Sequence, residues 1–299
     1  MNAVVFGGSG FLGSHVADAL SDAGYHVKIF DLKPSPYLRS NQEMIIGNIL
    51  DSEMVNSVLD NADYVYNFSG IADLDDAHTK PSDTILLNIF GNAIILEAAV
   101  KAKCKRFIYA SSIYVYSEKG GFYRCSKQSS ELFIEEYFRR YGLDYTILRY
   151  GTIYGTRADH RNSVYRYLYK ALNEGVISVR GQMNVSREYI HVRDAAVLSV
   201  QILDKKYINT HVTLTGQHPT HFRDLLYMIK EIFNGKVQLD FIYSDDEKDR
   251  DHYSLTPYSY VPKVGYKLTS NRYIDLGQGL LECIEEIQYQ ISKNNESIN

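Results

Sequence analysis

Ser112, Tyr123 and Lys127 are the residues whose types and spacing promise chemistry. Tyr123 and Lys127 stand four apart, so on a helix they share a face, and an ammonium beside a phenol lowers its pKa and makes it a usable base. Ser112 follows the strand-like pattern at 106–109, where a hydroxyl at the carboxyl edge of a sheet can hold an alcohol or ketone beside that phenol. Among 26 tyrosines a Tyr-x-x-x-Lys match means little alone. A second pattern supplies what it lacks. Gly7, Gly8, Gly10 and Gly13, with Phe11 and Leu12 between them, follow the apolar run Val4-Val5-Phe6 and open a helical stretch. Glycines there permit a tight turn, close approach of a pyrophosphate and close helix packing, while the N–H groups of the helix start face the anion. Asp31 ends the next strand pattern, where its carboxylate can accept bonds from the adenosine ribose and repel a ribose 2′-phosphate. That favours NAD over NADP, with Lys33 as a possible offset. Asn48-Ile49 and Phe68-Ser69-Gly70 follow further strand patterns and are assigned to the lining of the same dinucleotide.

The elements that must position these residues alternate in type. Strand patterns at 4–6, 27–30, 44–46, 64–68, 106–109 and 145–148 are separated by helical patterns at 11–23, 53–59, 85–101 and 126–141. This rhythm predicts an α/β fold, a Rossmann-like parallel sheet with helices on both faces. Past Gly155 the rhythm loosens: helices are expected at 161–174, 194–203, 221–232 and 277–292, an extended segment at 186–190, and a solvated charge run at 244–251. Residues 1–155 are therefore read as mainly the dinucleotide-binding domain with the catalytic residues. Residues 156–299 are read as mainly a smaller substrate-binding lobe, with some segments returning to the first domain. At 299 residues, 45% hydrophobic and 23% charged, the chain is neither a disordered segment nor a fibre. A net charge of −4 leaves no basic field for nucleic acid. Cys104, Cys125 and Cys283 are dispersed, without metal-ligand spacing, so no metal is expected and a reduced compartment fits. Cys125 is read as a small core thiol. No signal-peptide pattern opens the sequence and no run approaches 18 apolar residues, so the expectation is a cytoplasmic protein without a membrane span.

These motifs, in this order, resemble the extended short-chain dehydrogenase/reductase family, in its NAD-dependent nucleotide-sugar epimerase/dehydratase branch. The matching pieces cover nearly all of the chain: the glycine turn 7–13, Asp31, Asn88 before Gly91-Asn92, the segment 111–116, Tyr123 with Lys127, the segment 148–155 and the segment 187–194. The resemblance implies that Tyr123 is the acid/base, that Lys127 holds the nicotinamide ribose and that Ser112 binds the reacting oxygen. It also implies that Asn88 and Tyr150 lie beside the cofactor, that Thr152, Arg187 and Arg250 contact a nucleotide-sugar substrate, and that the chain forms a homodimer through the helices at 85–101 and 126–141.

The sequence departs from its relatives in several places. Thr152 stands where many have Asn, and one hydroxyl does not reproduce an amide's paired donors. The Ser112-to-Tyr123 connection is short, which predicts a more open sugar pocket. Asn48 replaces a common Asp. Ile113 and Tyr114 occupy the positions of the Asp-Glu pair found in 4,6-dehydratases, so elimination of water lacks its acid and base. His191 is read as structural. The expected activity is C4 epimerisation of a nucleotide-activated sugar through a 4-keto intermediate. The alternatives are a C4 dehydrogenase or 4-ketoreductase, or a dinucleotide-binding interaction protein with a relict site.

Overall fold

A computed structural model describes residues 1–180, 185–242, 265–269 and 273–296. Its strands are, in chain order, β1 Asn2–Phe6, β2 His26–Asp31, β3 Gln42–Ile46, β4 Tyr64–Asn67, β5 Arg106–Ser112, β6 Tyr145–Tyr150, β7 Thr152–Tyr154, β8 Val176–Arg180, β9 Ser186–His191, β10 Thr210–Leu214, β11 Pro219–His221, β12 Gln238–Ile242 and β13 Tyr266–Leu268. The α-helices are α1 Phe11–Asp22, α2 Ser52–Val58, α3 Leu74–Thr79, α4 Pro81–Thr84, α5 Gly91–Lys101, α6 Gly121–Tyr141, α7 Ser163–Asn173, α8 Val192–Gln201, α9 Phe222–Ile232 and α10 Leu276–Glu296. The charge run at 244–251, Arg250 included, lies outside the described residues.

Two compact units result. The first combines Met1–Tyr150, Ala195–Leu214 and the stretch around β13. It is built on an eight-stranded sheet in the order β13-β10-β6-β5-β4-β1-β2-β3, with every pairing parallel. The apolar strand patterns follow from that burial on both faces. On one face Val4, Phe6, Phe30, Val65 and Phe107 enter a buried cluster with Val55 of α2, Ile95 and Leu96 of α5 and Ile134 of α6. Strand alternation sends Tyr66 the other way, where its hydroxyl donates to the Ser199 carbonyl of α8 at 2.9 Å. The second unit holds Gly151–Asp194, the chain from Thr215 through β12, and α10. It carries a three-stranded sheet β11-β9-β7 and the pair β12-β8.

One expectation needs correction here. Cys125 is exposed, whereas Cys104 and Cys283 are buried. Tyr123 and Lys127 face the sheet, and a residue two positions beyond Tyr123 is carried to the opposite side of the helix. α4, the π-helical turn Ile85–Phe90 and α5 form one continuous helical run, Pro81–Lys101, long and apolar enough by composition alone to cross a membrane, a test that the core helix of a Rossmann-like fold also passes. A count of consecutive apolar residues misses it because Asn88, Gly91 and Asn92 interrupt the run. In this fold 44% of its apolar window is buried, and Asn88 and Asn92 are hydrogen-bonded inside the first unit.

Candidate functional site

The carboxyl ends of β1, β4 and β5 bring the predicted residues of the first unit together. Strand order reverses at β1, which lies between β4 and β2, and such a switch point leaves a crevice at the strand ends. The glycine turn enters it directly from β1. Gly7 has φ +74°, and a Cβ there would lie 2.7 Å from the backbone of Phe68 and Ser69. A Cβ on Gly13 would sit 2.2 Å from the Gly7 carbonyl oxygen, so only a residue without a side chain lets α1 start so close to the turn. Gly10 is the N-cap of α1, and no side chain caps that end. Its first-turn N–H groups are thus the donors an anion takes up. Asp31, at the end of β2, is tied to this turn: Oδ2 accepts from the Ser9 N–H at 3.0 Å and Oδ1 from the Lys33 N–H at 3.3 Å. Each oxygen keeps a second lone pair for a ribose hydroxyl. The cradle, the uncapped helix and the anchored carboxylate fit a dinucleotide.

Beyond β4, the loop at 68–71 is held by amides. Asn67 Oδ1 accepts from the backbone N–H and hydroxyl of Ser69 at 3.0 and 2.5 Å, and Asn67 Nδ2 donates to Asn92 at 2.8 Å. Asn88 pairs with both backbone groups of Ile71, accepting at 2.7 Å and donating at 2.9 Å, and also donates to the Ser126 hydroxyl at 2.9 Å. Gly70, at φ +116°, leaves the room Asn88 needs. Asn88 lies on the π-turn, a distortion frequent at functional sites, and joins this loop to α6. Asn48 is exposed, and its side chain accepts from the Leu50 N–H. The Ile49 side chain is committed to the core cluster, which leaves only its backbone for a ligand. Phe68 stacks on Tyr66 with ring centroids 6.2 Å apart, while the Tyr150 hydroxyl is shared with Ser199 at 2.6 Å.

Ser112 ends β5, and Tyr123 lies in the first turn of α6, just after Gly120 and Gly121 at φ +96° and +47°. The Ser112 side chain hydrogen-bonds Tyr123. Burial pushes the Tyr123 phenol up to about 12, against the opposing effect of that bond. Burial likewise pulls Lys127 down to about 8, with the Glu131 charge acting in the other direction. The expected lowering of the phenol by Lys127 is not in force here. The ammonium donates to the Ala110 carbonyl at 2.8 Å and lies 5.6 Å from the Tyr123 ring centroid, so desolvation dominates both groups.

Thr152 and Arg187 belong to the second unit. Thr152 on β7 is in register with Tyr189 on β9, so Thr152, Tyr189 and Arg187 share one face of that sheet. Arg187 lies 5.9 Å over the Phe222 ring, and its buried Nε has no hydrogen-bond partner among the described residues. His191 is buried and held down to about 4, first by burial and then by the Arg193 charge, so it is neutral at pH 7. No group of three His, Cys, Asp or Glu suited to a metal occurs among the described residues. Sequence reasoning included Ser111 and Arg149 only as parts of matching segments and gave no role to them or to Glu131. Glu131 falls one turn after Lys127 on α6 and Arg149 lies inside the buried strand β6, but neither position is marked as paired by the sequence.

Comparison with known proteins supplies the context. The profile of the NAD dependent epimerase/dehydratase family matches residues 3–214. The chain is 27% identical over 260 residues to a putative UDP-glucose 4-epimerase of Methanocaldococcus jannaschii, covering 79% of this chain and 85% of that one. It is 22% identical over 296 residues to a trifunctional UDP-glucose 4,6-dehydratase/UDP-4-keto-6-deoxy-D-glucose 3,5-epimerase/UDP-4-keto-L-rhamnose-reductase of Arabidopsis thaliana, covering 89% of this chain but only 44% of that longer protein. Among solved structures, UDP-glucose 4-epimerase of Thermotoga maritima with UDP-glucose superposes with a TM-score of 0.82 at 26% identity, covering 97% of this chain and 100% of that one.

Proposed function

The chain belongs to the NAD dependent epimerase/dehydratase family, and on that premise we propose that it inverts C4 of a nucleotide-activated sugar through a 4-keto intermediate. The observation that carries this reading is the convergence of Ser112, Tyr123 and Lys127 on the strand ends that also carry the glycine cradle. NAD bound in that cradle supplies a two-electron acceptor able to give back what it takes. Tyr123 removes the proton of the C4 hydroxyl, and Ser112 steadies that oxygen by a hydrogen bond. Lys127, 5.6 Å from the Tyr123 ring centroid, is assigned to the nicotinamide ribose. Once the keto sugar has turned over in its pocket, the same phenol returns a proton to the oxygen and the opposite configuration results. Arg187, whose buried Nε has no partner among the described residues, is the group for the substrate's diphosphate, and Thr152 on the same face offers a hydroxyl to the sugar or pyrophosphate. Arg250 is assigned to the same phosphates from sequence alone. The carboxylate charge of Asp31 makes NAD the better fit than NADP.

The reading is tested with a panel of UDP-, GDP-, CDP- and TDP-sugars and purified protein. Sugar products are followed by NMR together with the reduced-nicotinamide absorbance. A C4-inverted sugar without net cofactor reduction is the expected result. Stoichiometric ketone and reduced cofactor, with no inverted sugar, would make the protein a C4 dehydrogenase instead.

We also infer that the chain forms a homodimer. Ile85, Leu86 and Phe90 on the long helical run and Phe122, Leu132 and Phe133 on α6 are exposed large apolar residues on neighbouring helices of the first unit. Exposed apolar side chains on neighbouring helices favour a partner, and a second copy presents the same helices for a two-fold contact.

A further inference from the structure

We propose that Glu131, clamped by Arg149, is a positioning residue for the proton transfer at Tyr123: it aligns helix α6 with the end of β5 and supplies the counter-charge for the Lys127 ammonium. The proposal deepens the epimerase reading and rests on it for its kinetic part.

The geometry is a stack of ties between α6 and the two central strands. At the first level Ser112 bonds Tyr123. One turn on, Lys127 Nζ donates to the Ala110 carbonyl at 2.8 Å. One turn further, Glu131 Oε1 accepts from the Ser111 hydroxyl at 2.5 Å and from Arg149 Nε at 3.0 Å, while Oε2 accepts from Arg149 Nη2 at 2.6 Å. Arg149 in turn donates to the Tyr116 hydroxyl at 2.8 Å from the turn that follows Ser112. Ser111 and Ser112 are consecutive on one strand, so their side chains leave it in opposite directions. Fixing Ser111 on Glu131 therefore fixes the orientation of Ser112 toward Tyr123. The clamp thus reaches Tyr123 by two routes, through β5 and through Lys127 on its own helix.

Glu131 and Arg149 are 2% and 0% exposed, deeper than a surface ion pair that merely decorates a helix. Two charges so buried pay heavily in desolvation, and an apolar pair of the same volume often holds a core at least as well. Packing alone gives no reason for the pair, whereas bidentate geometry fixes the helix against sliding and turning. The charged and titratable groups around Glu131 are Arg149 and Tyr145 on β6, His211 on β10 with Nε2 at 3.8 Å, Tyr109 on β5, Tyr116, and Lys127 and Glu135 on α6. His211 lies nearer Glu135, at 3.3 Å. Around Lys127 itself stand the Tyr109 and Tyr123 rings and Glu131, which is the anion that favours its charged form.

The sign follows. Lys127 is already held down to about 8, so its ammonium is lost as pH rises through that value. Neutralising Glu131 removes the influence that opposes the fall, so the loss begins at lower pH. For Glu131→Gln we expect kcat to fall about tenfold or more with substrate KM within about twofold, the alkaline limb of kcat moving to lower pH by about half a unit or more. Ser111→Ala, which removes a single tie and no charge, should lower kcat less and leave the limb in place. NMR titration of labelled lysine in the protein with and without NAD reads Lys127 directly. It should show the same displacement in Glu131→Gln, with Lys127→Arg giving the assignment. A folded Glu131→Gln with unchanged kcat and an unmoved Lys127 titration overturns the proposal, as does a loss of thermal stability with the rate and titration intact. If Glu131→Gln does not fold, Arg149→Lys retains the Glu131 charge but breaks the bidentate clamp; it should lower kcat with the Lys127 titration in place, and unchanged kcat overturns the positioning role. A wild-type protein inactive on every nucleotide sugar would defeat the epimerase reading while the lysine titration still decides the electrostatic claim.

Discussion

The phenol of Tyr123 carries a tension that the proposed catalytic cycle has to resolve. Burial holds it protonated, up to about 12, yet the acid/base role proposed for it asks it to take a proton near neutral pH. Ser112 is the group placed to relieve that cost, by a hydrogen bond that acts against burial. Tyr123→Phe removes the oxygen and keeps the ring that packs edge-on against Tyr114. We expect turnover to drop by about 10²–10⁴-fold with NAD affinity changed by no more than about threefold, read by product NMR and by calorimetric titration. Turnover at the parental rate would remove Tyr123 from its role. Lys127 differs in kind, because its one described hydrogen bond goes to the Ala110 carbonyl and its substitution disturbs the junction of α6 with β5 as well as the charge.

At the scale of elements, the glycine turn and α1 make the sharpest mechanical demand. A methyl group on Gly13 meets the Gly7 carbonyl at 2.2 Å, and backbone rather than a flexible side chain would have to give way. The same change at Gly10 meets that oxygen at 3.2 Å, a contact a small shift can absorb. Gly13→Ala should therefore weaken NAD binding by at least about tenfold and lower stability by about 1–3 kcal/mol, whereas Gly10→Ala should do clearly less on both counts. Thermal unfolding with and without NAD checks the order, and equal behaviour of the two variants would mean that the turn relaxes freely. This element was legible in sequence because its constraint is local: glycine positions, an apolar strand before them and a helix after. The four central strands at 4–6, 64–68, 106–109 and 145–148 were legible for a related reason, since burial on both faces leaves an almost uninterrupted apolar run. The short strands β7, β8 and β10–β13 were not, because a run of three to five residues pairs through tertiary context more than through its own pattern. The Glu131–Arg149 clamp was invisible for a third reason. Its partners lie on separate elements, and nothing in their spacing tells a buried pair from two surface charges.

At the scale of the whole molecule, the chain visits its two units in alternation. It builds most of the parallel sheet, leaves after Tyr150, returns at Ala195 to add β10 beside β6, and leaves again after Leu214. Ser112, Tyr123 and Lys127, the residues proposed for catalysis, thus belong to the first unit, while Thr152 and Arg187 belong to the second. What the first unit offers outward is the apolar face of the run Pro81–Lys101 and of α6. Such a face answers to two quite different partners, a second protein copy or a lipid surface. The polar anchors decide between them in our reading. Asn88 and Asn92 hold the run to the loop after β4 and to α6, so a helix withdrawn into a bilayer would take the cofactor loop apart. A face that stays in place and is covered by its own symmetry mate keeps those bonds. We therefore expect sedimentation equilibrium to give twice the 34.2 kDa chain mass, and Phe90→Asp combined with Leu132→Asp to give the single mass with secondary structure preserved. Because those two side chains are exposed and lie outside the NAD cradle, the monomer should bind NAD within about threefold of the parent. A parent protein that sediments at the single mass, or that co-sediments with uncharged phosphatidylcholine vesicles while the double variant does not, would replace the dimer with the other partner.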